Sequence, residues 1–272
     1  MKREQKICLT IAGLDPSGGA GIIADLKTFA AFGCYGTAAV SSITFQNTVE
    51  VFGSESQSAE VIRRQLDPIF DDLTVDAAKT GMLPTEEIIR ETADILIERK
   101  FQNLIVDPVV RSTSGYDLID DDALWSLVEK LFPLAIVVTP NIPEAERIAG
   151  MSIRTGEEIE KAGRQMLTMG AAAVLIKGGH LESENKRDFL FTADGVEVFD
   201  GQFIDSKATH GTGCTLAAAL TACIANGKAL SDAIRIAKRF VEEGIRTSPM
   251  FGSGHPPLNH LIDGKAMLTE PE

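Results

Sequence analysis

The stretch Thr209-His210-Gly211-Thr212-Gly213-Cys214-Thr215-Leu216 runs directly into Ala217-Ala218-Ala219-Leu220-Thr221-Ala222-Cys223-Ile224-Ala225. Two glycines permit a sharp turn, and the apolar run behind them begins a helix. The first N–H groups of a helix have no intrahelical acceptor and the helix dipole is positive there, so this turn is suited to receive an anion. Where many phosphotransferases place an acidic base, this chain has Cys214, at the first turn. N–H groups that hold an anion also lower a thiol's pKa. The plainer reading is a glycine turn opening a helix, with Cys214 a small buried apolar side chain.

Working outward, short β-rich runs alternate with amphipathic stretches. Strands are predicted over 6–12, 35–45, 75–79, 103–106, 135–139 and 173–176, with a hairpin over 189–203 turning at Asp194-Gly195. Helices are predicted over 22–32, 59–73, after Pro84, and over 120–132, 144–148, 157–169 and 230–246, besides the alanine-rich one. Pro68 is expected to disturb the second of them. This alternation implies an α/β fold, a mainly parallel central sheet with helices on both faces. No change of composition marks a linker, so residues 1–272 are expected to form a single domain.

In such sheets ligands lie beyond the carboxyl ends of the strands. The polar clusters all fall at strand ends: 13–21, Gln46-Asn47, 79–82, Asp107, 141–144, 177–180 and 209–214. They are expected to converge on one cleft.

Composition narrows the partners. A net charge of −13 and the absence of a basic stripe argue against nucleic acid, and no apolar run is long enough to span a membrane. Cys8, Cys34, Cys214 and Cys223 show no C-x-x-C spacing, so neither a zinc site nor a disulfide framework is expected. Without a signal-peptide pattern, a reducing, cytoplasmic compartment is expected. An anionic small substrate would need a local positive pocket of backbone amides, Lys and a metal.

Gly19-Ala20-Gly21-Ile22-Ile23-Ala24 matches a dinucleotide-binding glycine pattern, but a loop separates it from its strand and the next strand ends in Gln46-Asn47 rather than an acidic residue. The loop reads instead as a substrate-approach turn. Asp25, on the first helical turn, is placed to reach a polar ligand or to complement the dipole. No Walker-type phosphate loop is present. If a nucleoside triphosphate is used, Gly211 to Cys214, Lys177 and a metal must hold its charge. Asn141-x-x-Glu144, with Asp107 at a neighbouring strand end, supplies hard oxygens suited to Mg²⁺; the plainer reading is a first-turn carboxylate and an Asp-Pro turn.

Taken together, 11–21, 24–28, Gln46-Asn47-Thr48, Lys79-x-Gly81-Met82-Leu83, 106–109, Thr139-Pro140-Asn141-x-Pro143-Glu144, Lys177-Gly178-Gly179-His180 and 209–215 resemble the ribokinase-like superfamily, most narrowly the hydroxymethylpyrimidine and phosphomethylpyrimidine kinases of thiamin biosynthesis. The resemblance implies ATP- and Mg²⁺-dependent phosphorylation of 4-amino-5-hydroxymethyl-2-methylpyrimidine and then of its monophosphate. It places Gln46, Gly13, Asp25 and Met82 around the pyrimidine. It assigns Lys177, Asn141 and Thr209 to ATP, Glu144, Asn141 and Asp107 to the metal, Gly211 and Gly213 to the anion hole, and Cys214 as general base. Sugar kinases of the superfamily carry Asp at that last position, so cysteine points to the pyrimidine branch or to its pyridoxal-phosphorylating neighbours. A homodimer is implied as well. Gly254-His255-Pro256-Pro257 departs from the Gly-His-Gly-Pro of relatives and leaves the contacts of the tail open.

Overall fold

The computed structural model describes residues 5–111, 115, 117–178, 186–202 and 204–269. Among them one nine-stranded sheet has the order β3-β2-β1-β4-β5-β6-β7-β8-β9. Its parallel centre comprises β2 (Tyr35–Gln46), β1 (Ile7–Leu14), β4 (Ala77–Thr80), β5 (Leu104–Val106), β6 (Ala135–Val138) and β7 (Ala173–Lys177). The inner strands β4 to β7 are short, and β5 to β7 are mainly Val, Ile, Leu and Ala, as expected where helices cover both faces. Alternation divides the central strands cleanly: Leu9, Ile11, Leu104, Val106 and Val138 face one apolar layer, Cys8, Ile105 and Val137 the other.

The first layer is completed by α2 (Ala59–Asp72), α3 (Glu86–Glu98), α4 (Asp121–Lys130), α5 (Ile142–Ala149) and α6 (Gly156–Thr168). The second contains α1 (Gly21–Ala31), α7 (Thr212–Ala225) and α8 (Leu230–Arg246). Helix α7 is buried nearly all round, which explains its alanines: small side chains let it pack closely between the sheet, α1 and α8. No described helix is long and apolar enough to cross a membrane.

Three expectations change. β3 (Val51–Ser56) pairs antiparallel with β2 and was not predicted. Its Phe52 is exposed and its remaining residues are mostly polar or small, so it lacks the buried alternation that marks a strand. The hairpin begins earlier than Phe189, as β8 (Lys186–Thr192) and β9 (Gly195–Gly201), and its predicted end at Phe203 lies outside the described residues. Helix α2 continues through Pro68, held down by buried Ile62 and Leu66 on its apolar face.

Candidate active site

The carboxyl ends of the parallel strands open into one cavity of about 1160 Å³. Gly13 lies near the end of β1, Gln46 ends β2, Gly81 and Met82 follow β4, Asp107 follows β5, Asn141 and Glu144 follow β6, and Lys177 ends β7; all line it together with Thr209 to Cys214. The expected convergence is therefore present. Gly179 and His180 lie outside the described residues.

Helix α7 begins at Thr212 with Gly211 as N-cap, φ 80° and no side-chain cap. A Cβ at Gly211 would lie 1.9 Å from the Gly19 carbonyl oxygen, so only glycine fits where the two loops cross. By helix geometry, the N–H groups of Gly213 and Cys214 have no intrahelical acceptor, and both residues line the cavity. Lys177 Nζ lies 3.0 Å from Asp107 Oδ1, which also accepts from Thr139 Oγ1 at 2.9 Å. This pair abuts the same turn, since a Cβ at Gly213 would be 3.4 Å from Lys177 Nζ. Burial works against the charge on each, but the two hold one another ionised, Asp107 below the usual carboxylate range and Lys177 above the usual amine value.

Asn141 and Glu144 form a reciprocal cap at the start of α5. Glu144 N–H donates to Asn141 Oδ1 at 2.9 Å and Asn141 N–H to Glu144 Oε2 at 2.8 Å. The first-turn reading is thus realised, and one oxygen of each side chain is committed to the helix. Burial first, and the like charge of Asp107, push Glu144 up to about 7 against the pull of Lys177. Among the described residues, no three His, Cys, Asp or Glu are grouped to hold a metal by protein ligands alone.

Two readings are corrected. Asp25 lies a full turn inside α1, is completely buried, and does not line the cavity; both of its oxygens are 3.0 Å from Lys79 Nζ, beneath the floor. The Cys214 thiol is not lowered. Burial pushes it up to about 11, outweighing Lys79 and the Gly21 N–H.

Asp15 and His210 stand in the quoted motifs without a role, and the structure joins them. His210 Nε2 is 2.8 Å from Asp15 Oδ2, while Ser17, Gly19 and Ala20 N–H groups donate to the same carboxylate. Although burial opposes ionisation, bonds from His210, Gln46 and Ser17 hold Asp15 well below the usual carboxylate range. The Ser17 spacing marks Asp15 as a turn former; nothing local marks a partner so distant in sequence.

The tail packs beside the site. His255 N–H donates to Thr48 O at 2.7 Å, and His255 Nδ1 lies 3.3 Å from Thr209 Oγ1. Pro256 and Pro257 are accommodated because these bonds use other residues' donors. Beneath them His260 Nε2 is 3.0 Å from Thr215 Oγ1, and burial, with Lys27 nearby, lowers its imidazole to about 4. The fold accommodates the neutral ring, so stability from it is full above about pH 6.5 and is lost as pH falls through about 4. Melting curves from pH 7 to 4 are expected to show His260→Gln losing less stability than the native chain, by about 3 kcal/mol. Parallel curves would remove His260 as the cause.

The model of the family described as phosphomethylpyrimidine kinase matches residues 15–259. The chain belongs to that family. The hydroxymethylpyrimidine/phosphomethylpyrimidine kinase of Staphylococcus aureus strain MSSA476 is 42% identical over 260 residues, 95% of this chain and 94% of that one. A phosphomethylpyrimidine kinase structure from Clostridium difficile 630 superposes with TM-score 0.79 at 40% identity, covering 89% of this chain and all of the other. The ADP complex of Bacillus subtilis pyridoxal kinase superposes with TM-score 0.87 at 37% identity, covering 94% of this chain and 98% of that one.

Proposed function

We propose that this chain transfers the γ-phosphoryl group of ATP to 4-amino-5-hydroxymethyl-2-methylpyrimidine, and then to the resulting monophosphate, in thiamin biosynthesis. The observation that carries this reading is the placement of Gln46 at the end of β2, its amide tied to Asp15, in the same cavity as the anion-binding turn of α7. A carboxamide fixed in that way presents an acceptor and a donor to the exocyclic amine and ring nitrogen of an aminopyrimidine. A Cβ on Gly13 would meet Met82 Sδ at 2.9 Å, so the glycine lets the Met82 side chain lie against the end of β1 as an apolar wall of the cavity.

Lys177 and the N–H groups of Gly211 to Cys214 receive the transferring phosphoryl, with Asn141 and Thr209 at the nucleotide phosphates. Cys214 accepts the alcohol's proton. Mg²⁺, when bound with the nucleotide, neutralises phosphate charge. Glu144 and Asp107 would hold it, Asn141 acting through its cap of α5. The fit is chemical: two buried carboxylates at the cavity wall, one pushed up to about 7, match a hard cation whose other ligands are water and phosphate. A homodimer is proposed, supported by exposed Phe45, Phe52 and Phe251, and a cytoplasmic setting by four free cysteines.

Pyridoxal phosphorylation, alone or as a second activity, is the other reading, favoured by the superposition on the pyridoxal kinase. Phosphate transfer assayed in parallel on the pyrimidine alcohol, its monophosphate and pyridoxal separates them. Turnover of pyridoxal alone would reverse the assignment. Gln46→Ala is expected to weaken pyrimidine binding by about 1 to 3 kcal/mol with ATP affinity unchanged. Calorimetry showing equal losses for both ligands would remove Gln46 from the pyrimidine pocket.

A further inference from the structure

Three stretches far apart in the chain meet at one side chain that the reaction as described does not use. His210 directly precedes Gly211, the N-cap of α7, so its ring moves only with the anion-binding turn. A carboxylate oxygen can only accept, so His210 Nε2 carries the proton and donates to Asp15 Oδ2 at 2.8 Å. Asp15 in turn organises the loop between β1 and α1. Its Oδ1 accepts from Ser17 N–H at 2.8 Å, and its Oδ2 from Ser17 Oγ at 2.9 Å, Ala20 N–H at 2.8 Å and Gly19 N–H at 3.2 Å. These bonds from within the loop hold its shape; the histidine ties it to the start of α7.

The packing around the pair is close. A Cβ at Gly19 would lie 2.4 Å from His210 Cδ2, so the ring rests directly on the loop's backbone. The His210 backbone also bridges to Pro257 of the tail. Gly13, Asp15 and Gly21 from the first loop and His210 to Cys214 from the second all line the cavity. The loop that borders the acceptor and the turn that receives the phosphoryl group are therefore joined where they cross. We propose that His210 is a positioning residue for phosphoryl transfer: its bond to Asp15 fixes the separation between the acceptor loop and the anion-binding turn, and so the distance the phosphoryl group must cross. In-line transfer tolerates little error in that distance, whereas each ligand binds mainly through one of the two loops. Loosening the bond is therefore felt in kcat and not in affinity. The inference rests on the pyrimidine reading for the identity of the acceptor.

The test compares His210→Leu, which keeps apolar bulk against Gly19 but has no donor, with His210→Gln, whose amide N–H stands in for Nε2. Phosphorylation of the pyrimidine alcohol and of its monophosphate gives kcat and KM, calorimetry gives affinities for the alcohol and for AMP-PCP, and thermal melts establish folding at the assay temperature. His210→Leu is expected to lower kcat in both steps by about tenfold to a hundredfold, with both affinities within about twofold of native. His210→Gln is expected to keep kcat within about threefold of native, because the bond to Asp15 is restored. A merely structural histidine would change the melting temperature and leave kcat of the folded protein alone. Native kcat in folded His210→Leu, losses confined to affinity, or an equal loss of kcat in His210→Gln would each overturn the proposal. Should His210→Leu fail to fold, His210→Ala takes its place with the same expected split. Native protein that phosphorylates pyridoxal and not the pyrimidine alcohol would overturn the pyrimidine reading instead, and pyridoxal then serves as acceptor in the same comparison.

Discussion

Replacing Cys214 with Ala is expected to slow phosphorylation of the pyrimidine alcohol by about 10² while slowing phosphorylation of the monophosphate much less. The alcohol must give up a proton to become a nucleophile, whereas a phosphomonoester is already ionised near pH 7. Alanine keeps the backbone N–H groups of the α7 turn, so the anion hole remains in both steps. With the thiol pushed up to about 11, little thiolate exists at neutral pH, and the native alcohol step is expected to accelerate as pH rises from 7 toward 10 while the second step stays nearly level. A loose transition state demands little early deprotonation, which reduces the loss without reversing the contrast between steps. Single-turnover rates for each substrate decide it. Equal losses in both steps would make Cys214 a packing residue of the helix start.

Lys177→Met is expected to reduce turnover of both substrates by about 10² to 10³, because a cation beside the transferring phosphoryl stabilises charge in either step. The substitution also leaves Asp107 buried without its 3.0 Å partner, so the melting temperature is expected to fall as well. The two effects separate when turnover is measured well below the variant's melting temperature, where the variant is fully folded and turnover is expected to stay low. Turnover near the native value in the folded variant would make Lys177 a structural residue.

Glycine placement and strand-end polarity make the site legible in the sequence. Gly211, Gly213, Lys177, Asn141, Glu144, Asp107, Gln46, Gly13 and Met82 all line the cavity that the strand-end rule anticipates. Asp25 failed that reading because burial depends on what covers a helix turn: Lys79, arriving from a different strand, removes it from the solvent side. β3 was missed because an edge strand with an exposed face carries no hydrophobic alternation.

Local sequence alone determined the alternation of elements, the glycine turn that admits an anion, and the end of the sheet at which chemistry gathers, since these follow from backbone freedom and side-chain periodicity. Tertiary structure decided the charge states. A helix terminus is expected to acidify Cys214, yet desolvation of the half-buried thiol raises it instead. The Asp15–His210, Lys177–Asp107 and Lys79–Asp25 pairs join residues 195, 70 and 54 positions apart, and coupling over such separations exists only once packing has brought the groups together and excluded the solvent between them.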